Sequence, residues 1–186
     1  MTHRRDETTD AGRQSPRFST VLAEDAETVR AAQRLRYRVF RAANAAEEPH
    51  QRLSHEPQRR LSHDAIDEDH FDRHCRHLVV RETATGSVVG TYRILTAEGA
   101  RAAGGFYSET EFDCSRLRRL NGRLVEVGRA CVDPAYRSGG VIALLLGALT
   151  RWVVAHRYDY VMGCASIDLG DDVDAAASLC RRLVRE

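Results

Sequence analysis

Residues 124–154 constrain this chain more than any other stretch, because a β-strand, a short loop and an apolar helix follow one another with almost nothing between them. The β-rich run Leu124 to Val132 ends at Asp133-Pro134, and Arg137, Ser138, Gly139 and Gly140 form the loop. Val141, Leu144, Leu145, Ala148, Leu149 and Trp152 then recur at helical spacing, which predicts a core-facing helix over Val141 to Val154. A loop of this kind leaves backbone N–H groups unpaired at the positive end of a helix dipole. Glycines there let a ligand approach the backbone closely. The arrangement suits a phosphate. It equally suits a plain strand-to-helix turn in which glycines serve tight packing.

The rest of the composition bounds the possibilities. A chain of 186 residues is one domain by length and can bury about two-thirds of its unfolded surface. Net charge is only +1, so whole-chain charge gives no reason to expect a nucleic-acid partner. All 28 basic residues are arginine. No apolar run reaches the roughly 18 residues of a membrane span, and the N-terminus lacks a signal-peptide core. The five cysteines are scattered and odd in number, which fits a reducing cytoplasm better than a disulfide frame.

Along the chain, Met1 to Pro16 is polar and without periodicity and reads as a disordered tail, with one domain over 17–186. Phe18 to Leu22 reads as a first strand. A helix is expected over Ala26 to Ala42, capped by Asp25, with Val29, Ala32, Val39 and Phe40 on its apolar face. A polar insert occupies about 46–67 and holds a near-repeat, Arg52-Leu53-Ser54-His55 and Arg60-Leu61-Ser62-His63. A hairpin follows: His77 to Glu82, a Thr85-Gly86 turn, and Val88 to Leu95. Ser108-x-x-Glu111 has the spacing of a capping box. Tyr158 to Ala165 reads as a last strand and Asp174 to Val184 as a last helix, with Asp172 as its cap. Strands and helices in this order predict an α+β domain with a mixed sheet.

The 124–154 loop resembles the acyl-carrier loop of the GNAT acyltransferases, V-D-P-x-Y-R-x-x-G-x-G/A. Val132, Asp133, Pro134, Tyr136, Arg137 and Gly140 match that pattern, and Ile142 departs from its last position. Leu35-Arg36-Tyr37-Arg38-Val39-Phe40, Asp69-x-x-Asp72, Gly90-Thr91-Tyr92-Arg93 and Glu126-x-x-Arg129 are similar to the acyl-homoserine-lactone synthases, a GNAT branch. The ornithine-lipid branch, L-ornithine Nα-acyltransferases and hemolysin-like relatives, is closer still. Its likeness is carried by Phe71-Asp72-x-x-Cys75-x-His77-Leu78-Val79-Val80, Gly104-Gly105-Phe106-Tyr107-Ser108-Glu109-x-Glu111-Phe112-Asp113, Arg129-x-Cys131-Val132-Asp133-Pro134 and Gly163-Cys164-Ala165-Ser166. The resemblance implies a GNAT fold, a mixed central sheet flanked by helices. Such folds usually add two strands after the final helix, so a chain stopping at Glu186 is expected to lack that C-terminal hairpin, as a fragment, as a shortened member or with completion by another chain.

The chemistry this resemblance implies is aminolysis of an acyl thioester. A (3-hydroxy)acyl group would pass from acyl carrier protein, or from acyl-CoA, to the α-amine of ornithine, giving lyso-ornithine lipid, with no bound cofactor. A homoserine-lactone-type synthase and a catalytically silent binding module are the alternatives. Glu126 is the candidate base, beside Arg129; its other reading is a salt bridge to Arg129 or Arg93. Val132, Arg137, Ser138, Gly139, Gly140 and Val141 would hold the donor phosphopantetheine. Arg36, Phe40, Asp69, Asp72, Arg93 and Ser166 would face the substrate. Asp69 and Asp72 would hold an ammonium or form a solvated acidic turn, Arg36 and Arg93 would position them or pair at the surface, and Phe40 would close the acyl tunnel or be core.

No acid for the departing thiolate stands out; Tyr136 and Ser166 are the candidates. His70, His74, Cys75 and His77 lie close in sequence, but strand alternation separates them and no second ligand pair follows, so no metal is expected. Cys164 reads as a buried structural thiol. Arg116, Arg118, Arg119 and Arg123 form a basic cluster that would dock an acidic carrier protein or anionic lipid heads, or be a solvated face. The location implied is cytoplasmic, with peripheral contact at the inner membrane left open.

Overall fold

The computed structural model describes residues 16–47, 65–138, 140–165, 177–178 and 181–182. The expected N-terminal tail, the tetrad repeat and Asp172 therefore lie outside the described residues. Five strands form one sheet in chain order: β1 (Phe18–Leu22), β2 (Arg76–Glu82), β3 (Val88–Thr96), β4 (Leu124–Val132) and β5 (Tyr160–Met162). The first four are antiparallel, and β5 runs parallel to β4. Helix α1 (Ala26–Glu47) leads from β1 to β2, α2 (Ala97–Ala103) follows β3, and α3 (Val141–Ala155) makes the crossover from β4 to β5. The mixed α+β sheet is as the sequence predicts.

Local chemistry explains most boundaries. Asp25 caps α1 by accepting the Thr28 N–H at 2.7 Å. The β2–β3 turn closes with Gly86 at φ 71°. Helix α2, absent from the sequence reading, starts where the Thr96 hydroxyl accepts the Gly99 N–H at 3.1 Å and ends at Gly104 in the left-handed region. The Ser108–Glu111 capping box does not form. Glu109 accepts the Phe106 N–H at 2.9 Å instead, and Glu111 accepts the Tyr107 hydroxyl. Strand β5 is shorter than the expected Tyr158 to Ala165, because pairing with β4 stops at Glu126–Met162.

The two sheet faces are packed differently. Leu78, Val80, Val89, Ile94, Val125 and Val132 join Val141, Leu145, Ala148, Leu149 and Trp152 of α3 in one apolar cluster. Gly90 permits this approach: a Cβ there would lie 2.8 Å from Val141 Cγ1 and 3.1 Å from Leu145 Cδ1. On the opposite face Val79, Val88 and Cys131 meet Ala32, Leu35 and Val39 of α1, but Gln33, Arg36, His77, Thr91, Arg93 and Glu126 are buried too.

Strand β4 changes phase partway along. Its odd-numbered Val125 and Val127 face α3, yet so does the even-numbered Val132, while Cys131 faces α1. The register slips between Thr91–Cys131 and Arg93–Gly128, leaving Arg129 and Ala130 opposite one residue. Arg129 takes φ 52° there. This is a β-bulge, which re-aims the side chains beyond it.

Candidate active site

Beyond Met162 the pairing of β4 with β5 has ended, and a cavity of about 810 Å³ opens beside the two strands. Its walls are Phe40 of α1, Tyr92, Arg93 and Leu95 of β3, Tyr107, Glu126 to Ala130 of β4, and Val161 to Ala165. Gly163 lies close under β4, since a Cβ there would sit 2.3 Å from the Val127 carbonyl oxygen.

Glu126 is only 4% exposed. The sequence suggested a salt bridge to Arg129 or Arg93 as its alternative role. The structure gives it different partners: Oε2 accepts the Tyr107 N–H at 2.7 Å, and Oε1 accepts the Ser108 N–H at 2.7 Å and the Ser108 hydroxyl. Tyr107 and Ser108 open a single 3-10 turn, Tyr107–Thr110. A carboxylate at the unpaired N–H groups of such a turn is charge-assisted and held in one orientation.

The other charges form a separate network. Asp72 accepts from Arg36 Nη1 at 2.9 Å and Nη2 at 2.7 Å, both side chains almost fully enclosed. This fork-to-fork pair corrects the surface-pair reading of Arg36. Asp67, the last residue of the expected insert, also pairs with Arg36 Nε at 3.2 Å. Arg93 Nη1 reaches both Asp69 oxygens at 2.7 Å, and Arg129 Nη2 lies 3.6 Å from Asp69. Burial alone would raise the pKa of Asp72 and Asp69, but the Arg36 and Arg93 hydrogen bonds and charges outweigh it and hold both carboxyls below their ordinary value. Asp72 and Arg36 lie behind the cavity, whereas Arg93 and Arg129 line it. Arg129 also stands over the Phe40 and Tyr107 rings, at 5.8 and 5.7 Å.

Other sequence candidates distribute unevenly. Gly140 caps α3 at φ 74°, with open space where a Cβ would be. Arg137 and Ser138 are exposed beside it. The Val132 and Val141 side chains are core, so only their backbone could face a ligand. Gly139 and Ser166 lie outside the described residues. The Tyr136 hydroxyl donates to Glu82 at 2.9 Å, and Tyr136 is not among the residues that line the cavity. Cys164 is exposed on the cavity wall rather than buried, a second correction.

Burial drives the Cys75 and Cys131 thiols up to about 12 and keeps His77 below its usual value. His77 Nε2 hydrogen-bonds the Asp72 carbonyl at 3.2 Å. Among the described residues no cluster of three or more His, Cys, Asp or Glu side chains is arranged to hold a metal, and no helix is long and apolar enough to cross a membrane. Arg116 and Arg119 are exposed. Arg123 is exposed as well and lies against the end of α3, donating to the His156 carbonyl and standing 4.7 Å over Tyr158.

Sequence reasoning passed over two residues of this site, Ser108 and Cys164. Ser108 was placed in a capping box, and its contact with Glu126 spans 18 positions, which local spacing cannot reveal.

Comparison with known proteins adds to this geometry. Residues 35–147 match the family model described as Acetyltransferase (GNAT) domain. The chain is 40% identical over 152 residues to an L-ornithine N(alpha)-acyltransferase of Brucella abortus, covering 78% of this chain and 51% of that protein. It is 37% identical over 159 residues to one of Rhodobacter capsulatus, covering 83% and 58%. The chain thus spans about half the length of the curated relatives it matches. The crystal structure of the AHL synthase LasI superposes with a TM-score of 0.53 at 14% identity, over 88% of this chain and 77% of that one, a likeness of fold.

Proposed function

We propose that this chain, which belongs to the acetyltransferase (GNAT) domain family, uses its cavity to move an acyl group from a thioester onto an amine. The amine is the α-amine of ornithine, and the product is lyso-ornithine lipid. Similarity to L-ornithine N(alpha)-acyltransferases supports the acceptor. The donor is a (3-hydroxy)acyl group on the phosphopantetheine of acyl carrier protein, with acyl-CoA as the alternative carrier.

The observation that carries this reading is Glu126, an enclosed carboxylate fixed by three donors on a cavity wall. An amine that attacks a thioester carbonyl must shed one proton from nitrogen to become an amide, and Glu126 takes it. The Arg36–Asp72 pair and the Arg93–Asp69 pair neutralise one another, so Glu126 acts without a competing free carboxylate in its wall. Arg129, a third exposed and only loosely paired, receives the ornithine carboxylate. Arg137, Ser138 and the Gly139–Val141 backbone receive the donor phosphate at the start of α3. Phe40 borders the acyl chain. Arg116 and Arg119 present positive charge to an acidic carrier protein. The reaction takes place in the cytoplasm, with peripheral contact at the inner membrane as its lipid product would require.

Mass spectrometry of lipid extracts from cells expressing the chain tests the proposal. Accumulation of lyso-ornithine lipid is expected. An acyl-homoserine lactone in its place would transfer the reading to the synthase branch, and neither product would leave a binding module.

A further inference from the structure

The site as described has a base but no acid for the departing thiolate. Behind Glu126 a chain of polar atoms leads back into the cavity. The Ser108 hydroxyl, buried, donates to Glu126 Oε1. The Cys164 thiol donates to Ser108 Oγ at 3.4 Å. Cys164 is exposed on the same cavity wall as Glu126. Two residues of the cavity wall are therefore joined through the hydroxyl of a buried serine.

We propose that Ser108 and Cys164 complete a proton wire with Glu126, in which Cys164 is the general acid that protonates the leaving thiol. The inference rests on the acyl-transfer reading above. The acceptor reacts as the free amine; Glu126 takes one proton from the attacking nitrogen, and the C–N bond forms as the C–S bond breaks. The departing sulfur takes its proton from Cys164, leaving a Cys164 thiolate. Ser108 then donates to that thiolate while accepting from the protonated Glu126. One proton has moved from nitrogen to the leaving sulfur. Cys164, Ser108 and Glu126 are back in the arrangement observed, thiol to hydroxyl to carboxylate. A cysteine thiol suits this exchange because the proton passes from one alkyl thiol to another, so transfer is near thermoneutral. Ser108 is a positioning and relay residue; Cys164 is the one that touches the substrate.

The test compares two donors with ornithine as acceptor: an acyl N-acetylcysteamine thioester, whose alkyl thiolate profits from protonation, and the matching thiophenyl ester, whose more acidic thiolate leaves unaided. Cys164→Ala should slow the alkyl donor by about 10²-fold, at the low end of general-acid effects, and the aryl donor far less. Glu126→Gln should slow both alike. Equal loss with both donors in Cys164→Ala, or no loss with either, would overturn the acid role. So would an acyl group found on Cys164 by mass spectrometry, which would make it a nucleophile.

Failure of Glu126→Gln to slow either donor would instead remove the base. If the wild-type chain transfers to neither donor, a second measurement decides the wire by itself. Iodoacetamide labelling of the Cys164 peptide against pH should change its profile in Ser108→Ala and Glu126→Gln, and Ser108→Thr should restore the wild-type profile. Superimposable profiles would mean that Cys164 does not sense Glu126 and would end the proposal.

Discussion

The two faces of the sheet are built from alternate residues of the same strands, yet they do opposite work. Toward α3 lie Leu78, Val80, Ile94 and Val125, which pack on Val141 and Leu145 in one apolar cluster. Toward α1 the same strands bury His77, Arg93 and Glu126 next to Val79 and Leu95. The apolar face gains stability from area removed from water. The polar face must satisfy every ion it encloses, because an unpaired buried charge is costly. A face that tolerates ions only when they are fully partnered can also hold one carboxylate in a fixed pose for chemistry. The difference teaches where function could be placed: the α3 side supplies the rigidity and the α1 side the electrostatics.

The sharpest break in that division is Glu126→Gln. Under the proposed mechanism it should lower the acyl-transfer rate by about 10²–10⁴-fold, read in single-turnover assays on folded protein, with a drop in melting temperature as well, because the new amide NH2 meets a backbone N–H donor. Raising the pH should restore part of the rate as free amine accumulates. A variant as active as wild type at neutral pH would make Glu126 another structural ion.

Stability should split the faces next. Arg36→Leu takes from the buried Asp72 its two-bond partner, leaving Arg93 at 3.4 Å and the Asp69 N–H, and should cost about 3 kcal/mol, the low end for breaking a buried ion pair. Leu145→Ala on the opposite face opens a cavity and should cost about 2–5 kcal/mol. The discriminating variant is Arg36→Leu combined with Asp72→Leu. Removing both ions should recover much of the loss, which no second truncation near Leu145 can do. Chemical denaturation of the three variants measures it.

A smaller effect is expected at the α3 cap. Gly140→Asp has room for its side chain, and aspartate tolerates the left-handed backbone better than most residues. The domain should stay folded while its carboxylate occupies the phosphate position, weakening coenzyme A or holo carrier binding by at least about tenfold. Calorimetry showing unchanged affinity would reduce the loop to a packing turn.

The gentlest probe is pH. His77 is held below its ordinary value by burial, so the unfolded chain binds the proton more readily. Its contribution to stability is complete above about 6.5 and declines as pH falls below that value. Asp69 and Asp72, held low by their arginines, add a second loss only below about pH 4. Melting temperature against pH should show two descending steps, and His77→Gln should erase the upper one.

Legibility in the sequence followed the same division. Strand β4 and helix α3 could be read almost to the residue, because period-2 and period-3.6 apolar patterns are local. The strand–loop–helix that carries the cradle was legible for the same reason. Helix α2 was missed: seven residues with Ala100 buried and little else apolar make no periodic signal. Glu126 could be picked out, but its partners could not, since Tyr107 and Ser108 arrive by tertiary folding. Cys164 was misread because Tyr158 to Ala165 looked like a continuous interior strand, whereas pairing ends at Met162 and exposes the thiol. Arg36 looked like one arginine among many in an amphipathic helix; only its depth distinguishes it.

The bulge at Arg129–Ala130 gives β4 two reading frames. Upstream, even numbers belong to the electrostatic face; downstream, odd numbers do. The acid at 126 and the loop beyond Val132 are therefore out of step by one residue, and deleting Ala130 would put them in step. Such a deletion would let plain alternation run from Glu126 to Val132, with Cys131 and Val132 kept on the faces they already occupy and only the bulge at Arg129 lost. The strand thus behaves as two words joined by a one-letter spacer, and the spacer serves the residue that sits in it, not the words on either side.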